Sequence, residues 1–463
     1  MDALRLDSML APAEPGAAGS LRLAELIGAL SHALDITEGQ PAGHCVRACW
    51  IGMHIAREIG LPERRRWELY YTLLLKDLGC SSNAARICEL YLTDDRSFKH
   101  DFKLVGDSLP QMLRFVFTHT GLKSGLAERL RSVLNIMRNG SEIATSLIQT
   151  RCTRGADIAR QLRFPESVAH GIAGLDEHWN GKGKPHGVAG DMIPLYSRIA
   201  LLAQVVDVFH AADGPRAALA EATRRAGGWF DPALVRAFER VGRKSEFWAM
   251  LASPDIDAAV AALEPGRHEV PLDDDYLDDI AAAFGQVVDS KSPFTSGHSA
   301  RVAQYTDRIA QAFGMPDTRR RWLRRGALLH DVGKLGVSNA VLDKPGKLDA
   351  DEWEAVKLHA AHTQAILGRI RAFDDLARVA AAHHERLDGA GYPLGLSGDA
   401  ISLETRIITT ADIFDAISAE RPYRGAVPIP RTLEMMAENV GSAIDPLCFE
   451  ALKTVLQREG ALG

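Results

Sequence analysis

The chemistry of this chain concentrates in HHERLDGAGYP, from His383 to Pro393. There two adjacent imidazoles meet a Gly-x-Gly-Tyr-Pro turn that suits neither a helix interior nor a strand. Upstream lie Gly297-His298, then His330-Asp331 with Gly333-Lys334, then His359; downstream, Asp412 stands in ADIFDAISAERPYR. Together these places offer five histidines and two aspartates, a full ligand set for two metal ions. Imidazoles mixed with carboxylates, without thiolate, suit first-row ions such as iron, manganese or zinc, whereas calcium and magnesium favour oxygen alone. A carboxylate directly after a histidine, as at Asp331, is suited to bridge two ions. Two ions a few Å apart lower the pKa of a shared water and clamp a phosphoryl oxygen during in-line displacement, so phosphoester hydrolysis is the expected reaction.

The elements that must position these groups are helices. Leu23, Leu26, Ile27, Leu30 and Leu34 recur at three- and four-residue spacing behind Ser20, an N-cap candidate. Similar patterns dominate the chain and strand-like alternation is nearly absent, so the expected fold class is all-α, built as helical bundles of the non-parallel kind. Asp349 with Glu352 predicts a capping box, and Asp445-Pro446 an N-cap followed by proline at the first helical position.

A second Asp-Pro, at Asp231-Pro232, exposes an internal repeat, because FDPALVRAFERV echoes IDPLCFEALKTV. His44 precedes Asp77 by 33 residues, as His298 precedes Asp331, and NGKGKP (Asn180 to Pro185) matches DGAGYP (Asp388 to Pro393) at an offset of 208. The early offset is 254, so the first copy carries 46 extra residues between Cys80 and about Gln149. The expected organisation is a flexible leader over 1–19, a degenerate domain over 20–250, a linker over 251–272 with Pro254, Pro265, Gly266 and Pro271, and a catalytic domain over 273–463.

Composition bounds the rest. A length of 463 residues suggests two domains, and a net charge of −6, from 54 basic against 60 acidic residues, leaves no basic stripe for DNA. No run of about 18 apolar residues is evident and the N-terminus lacks a signal-peptide pattern, so the expected compartment is the cytoplasm, with no membrane partner. The cysteines, Cys45, Cys49, Cys80, Cys88, Cys152 and Cys448, form no CxxC pair and are expected as buried thiols without disulfides.

The order GH, HDxGK, an isolated histidine, HHERxDGxGYP, ADxxDA and RPYR resembles the HD-GYP family, a branch of the HD-superfamily metal-dependent phosphohydrolases, over about Asp279 to Val455. The resemblance implies a bacterial phosphodiesterase that hydrolyses cyclic di-GMP to pGpG or GMP, using two divalent transition-metal ions, iron or manganese first. It places one ion on His298, His330, Asp331 and Asp412, and the other on Asp331, His359, His383 and His384. It also gives Lys334 a role at the scissile phosphate or the leaving oxygen. A third ion in this family needs a glutamate four residues before the first histidine, and Phe294 stands there, so two are expected.

For substrate binding, Gly389 and Gly391 let backbone approach a ligand, and Tyr392, beside Pro393, either packs on a purine or orders the turn. Arg421 and Arg424 offer planar donors for phosphate or guanine edges, or a salt bridge that fixes the loop. Another cyclic dinucleotide such as cyclic GMP-AMP, a nucleoside phosphate, or a nucleotide-binding regulator with little turnover remain the alternatives. A homodimer or an upstream regulatory protein is left open.

The first copy differs at the ligand positions. It has Lys76, Arg151, Leu175, Asp176 and Gln204 where the second has His330, His359, His383, His384 and Asp412, and Cys80 in place of Lys334. Two incoming cations repel a metal ion, so this domain is expected to hold none; pairing of Lys76 or Arg151 with Asp77 or Asp176 would replace the lost metal charge.

Overall fold

The computed structural model describes residues 21–103, 105, 109–122, 125–266, 272–420 and 425–460. The leader and Ser20 lie outside these residues, as do Pro271, Arg421 and Arg424. The described residues are helical, with no strand beyond two isolated bridges, Ala226 to Phe230 and Val440 to Ile444. They form two compact units, one over Arg22–Leu272 and one built from Asp273–Val337 and Val341 onward.

The helices of the first unit that matter below are α1 (Leu23–Thr37), α2 (His44–Glu58), α3 (Glu63–Leu75), α4 (Leu126–Gln161), α5 (Glu166–Ala173), α6 (Leu195–Arg224) and α7 (Pro232–Val241). Leu26, Ile27, Leu30 and Leu34 of α1 are fully or almost fully buried, as their spacing predicts, and Arg22 rather than Ser20 occupies the N-cap position. Helix α7 starts as expected, with the Asp231 side chain accepting from Ala233 N ahead of Pro232. The linker segment is not all irregular: Ile256–Ala261 is a short helix packed on α1 and α2. The extra residues after Cys80 fold into Ala84–Tyr91, Asp95–Phe102, Leu109–His119 and the first part of α4, joined by a small apolar cluster of Ile87, Phe98 and Phe115.

Helix α6 departs from the expectation of no membrane-length segment, being long and apolar enough to cross a membrane by length and composition. Its apolar window is 67% buried within the fold, so the apolarity serves a core helix. A kink at Gly214, ahead of Pro215, interrupts it.

In the second unit, α8 (Asp274–Asp289), α9 (His298–Ala312), α10 (Asp317–Leu329), α11 (Ala350–Leu367), α12 (Asp374–Ala381), α13 (Leu403–Ser418) and α14 (Pro446–Arg458) pack with α9 against α10, α13 and α14. Val302, Ile309, Leu323, Ile407, Ile408, Phe414 and Leu452 fill the space between them. The predicted capping box of Asp349 and Glu352 opens α11, and Asp445 caps α14 ahead of Pro446. No disulfide joins any of the six cysteines.

Candidate active site

Each candidate ligand sits where a helix starts or ends, or on a face turned toward the same point. His298 is the first residue of α9, behind Gly297 at φ 70°, a left-handed conformation that glycine adopts without strain. His330 ends α10, and Asp331 leads into a 3-10 turn over Val332–Gly336. That turn lies against α11, and a Cβ on Gly333 would sit 1.9 Å from the His359 carbonyl oxygen, which explains the glycine. Thr363 ties the two together, accepting from Gly333 N at 3.0 Å and donating to His330 O at 2.9 Å. His359 projects from α11, His383 and His384 follow α12, and Asp412 comes from α13.

The histidines are oriented by what their Nδ1 atoms touch. Nδ1 of His330 is 2.7 Å from Ala327 O, that of His359 is 2.6 Å from Val356 O, and that of His383 is 2.7 Å from Ala380 O. His298 Nδ1 meets Asp415 Oδ2 at 2.7 Å, and Arg301 holds the same carboxylate, Nε to Oδ1 at 2.5 Å. These contacts fix the rings of His298, His330, His359 and His383 and leave Nε2 to face the centre, the arrangement of metal-ligating imidazoles.

Asp331 lies between two groups of nitrogens. Its Oδ2 is 3.5 Å from His298 Nε2 and 3.3 Å from His330 Nε2, while its Oδ1 is 3.5 Å from His359 Nε2 and 3.7 Å from His383 Nε2. Asp412 Oδ1 stands 3.3 Å from His298 Nε2. Ligand atoms of His298, His330 and Asp412 lie within 4.8 Å of one another, as do those of His359, His383 and His384, and those of His330, Asp331 and His383. The Nε2 atoms of His298 and His330 and Oδ1 of Asp331 are buried without a hydrogen-bond partner. Stranding three such atoms together is costly unless a cation satisfies them, so this nitrogen and oxygen set fits divalent first-row ions.

Among the protein groups alone, the field divides the cluster. Burial disfavours charge on every ring, but Asp331 and Asp412 outweigh it at His330, whose pKa rises to about 9. At the other group burial prevails, helped by neighbouring cations and imidazoles, and lowers His359 to about 4 and His384 to about 3. Asp331 is itself held well below the usual carboxylate range: burial opposes this, and His330 and Lys334 outweigh it.

Lys334 Nζ donates to Asp331 Oδ2 at 2.5 Å and also lines a cavity of about 250 Å³ shared with Phe294, Thr295, Lys344 and Val356. The Gly389 to Pro393 turn lies against His384, with the Tyr392 ring centroid 4.8 Å from the imidazole. Gly389 has φ 77°, and a Cβ on Gly391 would fall 2.4 Å from Arg386 N.

The sequence reading missed several supports. Glu385, inside the motif and buried, accepts from Leu394 N at 2.6 Å and Leu396 N at 2.8 Å and so closes the loop. The acid directly after His383-His384 was the available signal. Asp415 is the second aspartate of ADxxDA and matches Asp207 at the offset of 208, but its partner His298 is distant in sequence; Thr363 gave no signal.

In the first unit His44 and Asp77 stand at the spacing of His298 and Asp331, and ligand atoms of Glu38, Asp77 and Cys80 lie within 4.8 Å of one another. His44 Nδ1 meets Asp207 Oδ2 at 2.7 Å, and Arg47 holds that carboxylate, as Arg301 holds Asp415. Glu177 accepts from His186 N and Val188 N. Lys76 pairs with Asp77 in full burial, and Arg151 pairs with Asp176. Both cations therefore neutralise carboxylates inside the fold of this unit.

An all-helical unit whose inward histidines and aspartates converge on one carboxylate defines the class of HD-type metal-dependent phosphohydrolases. The chain belongs to the HD domain family, whose model matches residues 131–234 and 283–447, and within it to the HD-GYP branch. It is 57% identical over 434 residues, 94% of each chain, to 3'3'-cGAMP-specific phosphodiesterase 3 of Vibrio cholerae serotype O1. It is 37% identical over 171 residues, 36% of this chain and 45% of the relative, to the cyclic di-GMP phosphodiesterase response regulator RpfG of Xanthomonas campestris pv. campestris. A crystal structure of a cyclic GMP-AMP-specific phosphodiesterase of V. cholerae, V-cGAP3, aligns with a TM-score of 0.66 at 52% identity, covering 95% of this chain and 98% of that one.

Proposed function

We propose that this chain is a metal-dependent cyclic dinucleotide phosphodiesterase, with residues 273–463 as its catalytic domain and residues 20–250 as a degenerate copy that holds no metal. The observation that carries the reading is Asp331, whose two oxygens face two separate groups of histidine nitrogens. On this reading His298, His330, Asp331 and Asp412 hold one ion, and Asp331, His359, His383 and His384 the other. Iron or manganese suits these donors, and when bound supplies Lewis acidity toward a phosphoryl oxygen and a more acidic water.

The chain's own residues do the rest. Lys334, partly exposed beside Asp331, is placed to donate to a non-bridging phosphate oxygen and to give a proton to the leaving ribose 3' oxygen. Asp331 and Lys334 are thus the catalytic pair. Tyr392 packs on His384 and offers its outer edge to a base, and Gly389, Gly391 and Pro393 shape the backbone around it. Arg421 and Arg424 complete the proposed substrate contacts from sequence alone.

The motifs alone point to cyclic di-GMP. The likeness over 94% of both chains to an enzyme named for 3'3'-cGAMP supports cyclic GMP-AMP as the preferred substrate, opened to a 5'-phosphorylated linear dinucleotide, with cyclic di-GMP second. The test is metal analysis of anaerobically purified protein, with product chromatography from both cyclic dinucleotides on the same sample. About two ions per chain and faster opening of 3'3'-cGAMP are expected. Faster cyclic di-GMP turnover would reverse the substrate order, and no hydrolysis of either by metal-loaded protein would overturn the reading.

A further inference from the structure

The first unit contains a cavity of about 340 Å³ at the place where the copy has lost its ligands. Cys80, Arg151, Asp176 and Gln204, which stand at the positions of Lys334, His359, His384 and Asp412, all line it. Its volume is at the lower end of small-molecule sites, enough to take in a mononucleotide or one nucleotide unit of a dinucleotide.

The walls combine two chemistries. Lys99, Lys103, Arg151, Lys182 and Lys184 contribute five cations, against the carboxylates of Glu38 and Asp176. Glu38 serves both Lys99 and Lys103, at 3.7 and 2.9 Å, and Asp176 serves Arg151, so even with Asp95 behind Lys99 the lining keeps a positive excess. That excess is felt at Glu38: burial pushes its carboxyl up, yet Lys103 and Lys99 hold it down to about 2. The other component is aromatic. Tyr91, Phe98 and Phe102 form part of the lining, with the Tyr91 and Phe98 centroids 4.2 Å apart, and so does His178, stacked on Trp229 at 4.2 Å and 22°.

Cations set among ring faces select a planar base joined to an anionic phosphate. We infer that this cavity is a metal-free nucleotide site, in which lysine and arginine take the phosphate-binding role that metal ions have in the second unit. Its ligand is a nucleoside phosphate, either the cyclic dinucleotide itself or a linear or mononucleotide product. The inference does not depend on catalysis by the second unit, because the cavity and its charges belong to the first unit alone.

The test is equilibrium binding to the full-length protein in excess EDTA, which removes metal-dependent binding at the second unit. Labelled GMP, pGpG, 3'3'-cGAMP and cyclic di-GMP are compared with inorganic phosphate. One saturable site per chain is expected. It should weaken at least tenfold in Lys182→Glu and in Phe102→Ala, both at exposed positions, and be unchanged in His384→Ala. Tighter binding of a cyclic dinucleotide marks a substrate sensor and tighter binding of pGpG or GMP a product sensor; either supports the site. No saturable binding to the chelated wild type, loss of binding in His384→Ala with none in the first-unit variants, or phosphate binding as tightly as any nucleotide would overturn it.

Discussion

Replacing Gly333 with alanine tests whether the HD turn and α11 hold the candidate site at van der Waals limits. The added Cβ would lie 1.9 Å from His359 O, 2.7 Å from Thr363 N and 2.8 Å from His359 C, all backbone atoms of a helix rather than the end of a movable side chain. Real Cβ contacts stay beyond 3.0 Å, so the turn and α11 must separate by more than 1 Å at this point. Overpacking of that kind costs about 2 kcal/mol, and in a domain of this size lowers Tm by about 4–8 °C. The functional effect is larger, because His359 moves with its carbonyl, and a 1 Å misplacement costs about 10²-fold in rate.

The first unit supplies a matched control. A Cβ on Gly79 would meet Arg151 O at the same 1.9 Å, so Gly79→Ala should also lower Tm but leave the metal content intact. Differential scanning fluorimetry, metal analysis and initial rates on the two variants give the comparison. Gly333→Ala protein with wild-type Tm, metal content and kcat would refute the reasoning.

Three further outcomes are expected. Changing His383 and His384 together to alanine should remove about one ion per chain and abolish turnover, with far-UV circular dichroism unchanged; full activity would sink the site. Lys76→Met strands a buried Asp77 and should cost about 3–5 kcal/mol, read as a lower denaturant midpoint, and an unchanged midpoint counts against the charge-replacement account. Glu38 has its carboxyl held at about 2, against burial and by Lys103 and Lys99, compared with 4.5 ordinarily. A depressed folded-state pKa contributes stability that is fully present above about pH 4.5 and lost as pH falls toward 2, on the order of 3 kcal/mol in all. Urea unfolding at pH 5 and pH 3 should therefore show a steep loss that Glu38→Gln reduces; equal slopes would contradict it.

Much of this molecule was legible in its sequence because the signals are local. Helical periodicity over Leu23 to Leu34, the capping box at Asp349 and Glu352 and the Asp-Pro starts at Pro232 and Pro446 each depend on residues within a few positions of one another. The seven candidate ligands were legible for a chemical reason, since imidazoles and carboxylates at those intervals have few other joint uses. The burial of α6 was not legible, because a buried core helix and a spanning helix share a composition.

The sequence by itself determined the helical class, the recurrence of the motif pattern and which residues are candidates for the chemistry, since each follows from short-range spacing and side-chain type. Only the tertiary structure decided how those residues are used. It divided the two oxygens of Asp331 between different histidines, turned Nε2 of His298, His330, His359 and His383 inward by occupying Nδ1, and recruited Asp415 from 117 residues beyond His298. It also set Lys76 and Arg151 of the first unit into internal ion pairs, Arg151 at an aromatic, cationic cavity. Distances among groups far apart in the chain are set by packing, and no local pattern encodes them.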